Sequence, residues 1–193
     1  MKNVVNPAGM IALIVLAASF FSCSNSKTYD DAMQENRDRI EEPGRLGDAL
    51  FLVEIRSLIM FQLELLKVAA ESGYSAELVN LGKDNIEPFQ TLDNDVVDVA
   101  KKEKFRLPTE MSEDHIARLA AVKRASRHEI DQMLVSEMAK ANSEAVQKLT
   151  AQATEGSDPD VRAFAARIIG ALRVHNDSVR RVKDGLLTSF RGD

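Results

Sequence analysis

From Asp48 onward, apolar residues recur at three- and four-residue steps, the spacing that lines up one face of a helix. Phe51, Ile55, Leu58, Gln62, Leu65 and Ala69 form the first stripe, and Ser72-Gly73 closes it. The second stripe runs through Leu78, Leu81, Asn85, Phe89, Leu92, Val96 and Val99, with Gly82 and Pro88 weakening its middle and leaving it open to a kink. Residues 105–111, which include Pro108, read as a connection, and Ser112 as the cap of a short helix. A third stripe begins near Ser126 and carries Ile130, Met133, Leu134, Met138, Ala141, Ala145 and Leu149 before Glu155-Gly156 stops it. At Ser157-Asp158-Pro159 a capping residue precedes proline at a first helical position, which opens a fourth helix. Its stripe is Val161, Phe164, Ile168, Leu172, His175, Val179, Val182 and Leu186. No stretch alternates with period two over a useful length, so no strand is predicted.

Four helices of about 25 residues, each nearly 40 Å long at about 1.5 Å per residue, bury four stripes most economically as an antiparallel bundle. The expected fold is therefore all-α: a four-helix bundle over residues 47–188, with a short helix between the second and third long ones and a flexible tail at 189–193. Residues 24–45 are polar and acidic, with Met33 and Ile40 as their main apolar side chains and Pro43-Gly44 as a breaker. Residues 23–46 accordingly read as a tether, with local helix at most, that stands the domain off a membrane.

Before the tether, Lys2 and the amino terminus lead into an apolar run from Met10 to Phe21. About twelve residues are too few for the roughly 20 that span a bilayer and enough for the core of an export signal. The run ends in Ser22-Cys23, the only cysteine of the chain. This segment resembles a bacterial lipobox, with Phe20 where leucine is usual, which implies cleavage after residue 22 and a lipid on Cys23. A lone thiol in an exported chain fits that fate, since it can form no internal disulfide. The expected address is the bacterial cell envelope, with Ser24 favouring the outer membrane and the lipid anchor as the membrane contact.

Composition narrows the function. With 45% hydrophobic residues the chain can bury a core, which excludes a wholly disordered protein. The net charge of −5, which becomes −6 once Lys2 is removed, argues against a nucleic-acid partner.

The spaced positions Ile130-Asp131, Met138, Asn142, Asp160, Phe164-Ala165 and Leu172 to His175 resemble a large family of secreted bacterial proteins of unknown function, often labelled predicted outer-membrane proteins. The resemblance covers roughly residues 49–187 and implies a ferritin-like domain. Family members commonly aim a glutamate from the first helix, an Asp-His pair from the second and a histidine from each of the third and fourth toward the bundle interior. Alignment on the flanking apolar residues places Gln62, the neighbourhood of Pro88-Phe89, Asn142 and His175 at those positions, with Asp131 at a separate family position. Only His175 keeps a side chain suited to a metal. The expectation is a buried polar cluster of Gln62, Asn142 and His175, hydrogen-bonded among themselves, with Phe89 on the fourth side and no metal or cofactor.

The remaining candidates read as background. His115 follows Glu113-Asp114 and His128 precedes Glu129, so both are expected on solvated faces. Asp93, Asp95 and Asp98 spread around their helix as solvated surface. The terminal Arg191-Gly192-Asp193 resembles an integrin-binding tripeptide, a match that arises easily by chance. No Gly-rich phosphate loop, Cys-His pair or two-histidine helix spacing is present, so no catalytic residues are assigned. The functional expectation is a lipid-anchored, non-enzymatic helical module that binds an unidentified envelope protein or ligand or fills a structural role. The alternative is a metal-binding or oxidase-type ferritin-like domain.

Overall fold

The computed structural model describes residues 28–189, which hold six helices and no strand. They are α1 (Tyr29–Arg39), α2 (Pro43–Ser72), α3 (Ala76–Glu103), α4 (Glu113–Lys123), α5 (Ile130–Glu155) and α6 (Pro159–Ser189). The all-α class is as expected. Cys23, the export signal and the terminal tripeptide lie outside the described residues.

The acidic stretch read as a tether is folded from Tyr29 onward. Thr28 and Asp31 form a reciprocal capping box, and Asp30 and Asp31 at the start of α1 with Arg37 and Arg39 at its end complement the helix dipole. Only Ala32 and Asn36 of α1 are buried, which is why no apolar stripe betrayed it. Asn36 replaces apolar area with hydrogen bonds: its Nδ2 donates to the Arg106 carbonyl at 2.8 Å, and its Oδ1 accepts from the Arg106 N–H at 2.9 Å. The expected domain start at residue 47 also falls inside a helix. Pro43 is the first residue of α2, where its missing N–H is no loss, and the Glu42 carboxylate accepts from the N–H groups of Gly44 and Arg45.

Helix α2 packs against α3 and α5, and α6 packs against the same two, so the four long helices close a ring. Contacts fix their directions. Gln152 and Ser157 reach Asp48 at the start of α2, while Asp131, at the start of α5, reaches Tyr74 beyond the end of α2, so α2 and α5 are antiparallel. Along α3 and α6, Asn85 meets His175, Asp95 meets Arg167 and Lys102 meets Asp160, which is again antiparallel. Since α3 and α5 therefore run the same way, the chain between them must travel back along the fold. It does so beside α2: Arg45 lies over Phe105, Ser57 bonds Ser112, His115 stacks on Phe61, and Lys123 pairs with Glu64.

Two residues expected to weaken α3 are accommodated without ending it. Pro88 and Asp84 both sit on the exposed side, where the carbonyl that loses its helical partner can reach water. Gly82 is a point of close approach: a Cβ there would lie 2.6 Å from the Leu66 carbonyl oxygen and 2.6 Å from the Ala70 nitrogen of α2. Among the described residues, no helix is long and apolar enough to cross a membrane.

Gly82→Ala should therefore destabilise the protein by about 1–3 kcal/mol despite alanine's better helix propensity, because the obstacle is backbone that cannot rotate away. Gly170→Ala in α6, where a Cβ meets nothing within 4 Å, should stabilise it by about 0.5–1 kcal/mol. Urea unfolding of the two variants beside wild type checks both signs.

Candidate functional site

Gln62, Asn142 and His175 are all buried, at 2%, 0% and 3% exposure. Each lies on the apolar stripe of a different long helix, and each bonds to the neighbouring helix rather than to the others. Gln62 Nε2 of α2 donates to the Met138 carbonyl of α5 at 3.0 Å. One turn further along α5, Asn142 Nδ2 donates to the Leu172 carbonyl of α6 at 3.1 Å. Three residues on, His175 Nδ1 lies 3.2 Å from Asn85 Oδ1 of α3. These bonds join α2 to α5, α5 to α6 and α6 to α3. The expected mutual cluster, with amides serving the imidazole, is not what forms. Each amide nitrogen is satisfied instead by a main-chain carbonyl of the next helix.

Asn85 of α3 is the partner absent from the expected cluster. Its signal was its place on the second stripe, between Leu81 and Phe89. Because Asn85 Nδ2 donates to the Leu81 carbonyl at 2.8 Å, its Oδ1 is the acceptor toward His175. The His175 Nδ1 therefore carries the hydrogen in the neutral ring and Nε2 is bare. Phe89 meets His175 edge to face, with ring centroids 4.8 Å apart. Burial lowers the His175 pKa from 6.5 to about 4.

Gln62 Oε1, Asn142 Oδ1 and His175 Nε2 are buried without a hydrogen-bond partner. All three are acceptors. Such a set offers no proton until His175 protonates. It suits a divalent metal poorly. One imidazole and two amide oxygens bring no negative charge to offset a buried dication, and carboxylates are what hard cations select. Elsewhere, carboxylate oxygens of Glu103, Asp158 and Asp160 lie within 4.8 Å of one another where α3 ends and α6 begins. Each is already engaged: Glu103 by Arg45, Asp160 by Lys102, and Asp158 by the N–H groups that it caps at the start of α6.

Two of the background readings need correction. His115 is buried at 8% exposure, not solvated. Its ring stacks on Phe61 with centroids 4.9 Å apart, and its Nδ1 lies 2.6 Å from Ser57 Oγ, which also accepts the Ser112 N–H. Burial, then the nearby Arg118 charge, lowers its pKa. The Arg118 guanidinium also lies over the Phe61 ring, and it pairs with Glu137 at 2.7 Å and Glu144 at 3.2 Å. The acidic neighbours Glu113-Asp114 masked a readable signal, since His115, Leu119 and Val122 share one buried face of α4. Ser57 is fully buried, so the pair pins α4 to α2 and cannot reach a substrate. Asp93 and Asp95, read as free surface, are cross-links between helices, to Arg56 at 3.0 Å and Arg167 at 2.7 Å. His128 is exposed, and Asp131 caps the α2–α3 turn by accepting the N–H groups of Tyr74 and Ser75 at 2.7 Å each.

The depressed His175 pKa sets a pH dependence. Between pH 6.5 and 4 the unfolded chain takes up a proton that the folded chain refuses, so this contribution to stability is complete above pH 6.5 and falls as pH drops. Wild type should lose about 2 kcal/mol more than His175→Gln between pH 7 and pH 5. Denaturant unfolding at the two pH values measures the difference, and equal losses would show that His175 is not held neutral.

No curated protein and no solved structure matches this chain. A family model does: the one described as a domain of unknown function, DUF4142, matches residues 34–182, from within α1 to the last turns of α6. The chain belongs to that family, the domain of unknown function DUF4142.

Proposed function

We propose that the protein is a lipid-anchored module of the bacterial cell envelope that works by binding and not by catalysis, on an antiparallel four-helix bundle of ferritin-like topology. The single long return connection through α4 supports that topology, since ferritin-like bundles carry one such crossover. The observation that carries the functional reading is how the interior polar residues are used. Gln62, Asn142 and His175 each form a hydrogen bond from one helix to the next, and the histidine is held neutral. A reaction centre needs groups of opposed acid–base character aimed at one point, whereas this set holds helices together.

Anchoring rests on the sequence before Thr28. A lipid on Cys23 would be separated from Thr28, the cap of α1, by five peptide steps. Even fully extended at about 3.5 Å each, they reach only about 17 Å. The folded domain would then lie close against the headgroups and not at a distance from them.

Two measurements test the reading. The mass of the purified mature protein should show a lipid on an amino-terminal Cys23, and Cys23→Ser should shift the protein from the membrane fraction to the soluble one or leave the signal uncleaved. An unmodified Cys23 in wild type refutes the anchor. Titration with zinc, iron(II) and manganese should show no stoichiometric binding in the micromolar range. Such binding, if lost in His175→Ala, would replace the binding module with a metal centre.

A further inference from the structure

At the end of α2 opposite Asp48, the α2–α3 turn, the approach to α5 and the last turns of α6 enclose a cleft of about 540 Å³. That lies within the roughly 300–1,000 Å³ of small-molecule sites. Tyr74, Val182 and Leu186 supply its apolar lining, and Tyr74 is 68% exposed.

Some arginines of the fold are committed to carboxylates and others are not. Arg45, Arg56, Arg106, Arg118 and Arg167 each pair with a carboxylate. Arg127 and Arg181, both in the cleft, make no ion pair among the described residues. The Arg127 guanidinium lies over the Tyr74 ring, 5.0 Å from its centroid, a contact that uses the face of the cation and not its N–H donors. Arg181 donates to Ser178 Oγ at 2.8 Å with one nitrogen, leaving the rest of its fork available. Of the acids present, Asp131 has both oxygens engaged by backbone N–H groups, and Glu77 sits in the first turn of α3, where the helix terminus offsets its charge.

We propose that this cleft binds an amphiphilic organic monoanion, of which a medium-chain carboxylate is the simplest member. Its chain lies along Tyr74, Val182 and Leu186, and its head takes the planar, paired donors that arginine offers a carboxylate. The site rests on the cleft alone and is independent of whether Cys23 carries lipid.

Calorimetric titration of the full-length protein with decanoate, below its micellar range, tests this against two comparisons. Decanoate should bind with one-to-one stoichiometry, and decanol, the same chain without charge, at least about tenfold more weakly. The double variant Arg127→Gln/Arg181→Gln should weaken decanoate binding by about tenfold or more while leaving decanol binding unchanged. Both arginines are exposed, so the variant should unfold at the wild-type temperature, which is measured alongside. Absence of decanoate binding to wild type, equal binding of decanol, or a double variant of unchanged affinity would each overturn the proposal.

Discussion

Helix α2 must be covered on nearly every side, and the other elements are arranged to do it. Leu52, Ile55, Ile59, Phe61, Leu65 and Leu66 are fully buried yet point around the helix in more directions than one stripe can serve. Burial of such side chains contributes about 1.5–3 kcal/mol each, so leaving any side of α2 wet would be costly. Helices α3 and α5 cover two sides, and α1 and α4 take what remains. This explains why a helix as polar as α1 is part of the fold: it closes a seam over α2 with one alanine and one asparagine.

An apolar interior alone leaves helices free to slide or rotate against one another by small steps at little cost. The three bonds from Gln62, Asn142 and His175 remove that freedom, because a shift of one residue at any contact would break the bond and leave the interior side chain without its partner. Asp48 and Asp131 do similar work at the two ends of the α2–α5 pair, each accepting backbone N–H groups from a turn. Polar residues thus define register, while apolar ones supply most of the stabilisation.

The long helices were legible because their stripes repeat over many turns, and the start of α6 because proline after a capping pair is unambiguous. What escaped was whatever depends on a partner distant in sequence. Asn36 makes sense only against the Arg106 backbone, and His115 only against Ser57 and Phe61. Gly82 reads as a flaw until the Ala70 backbone is seen beside it. Gln62 and His175 read as buried from their stripes, and Asn142 from the family resemblance, but their bonding does not: no periodicity reports which carbonyl lies across the interface.

The return connection through α4 also divides the fold by distance along the chain. Helices α2 and α3 meet across a short turn, as do α5 and α6, so each hairpin can form from near neighbours. Joining the hairpins requires contacts such as Asp48 with Ser157, 109 residues apart. Chain entropy opposes those contacts far more than the local ones. The side chains that span the two hairpins, Gln62, His175 and Asp48 among them, therefore close the longest loops of the chain, and the bonds that cost the most order are the ones that join the two halves into one molecule.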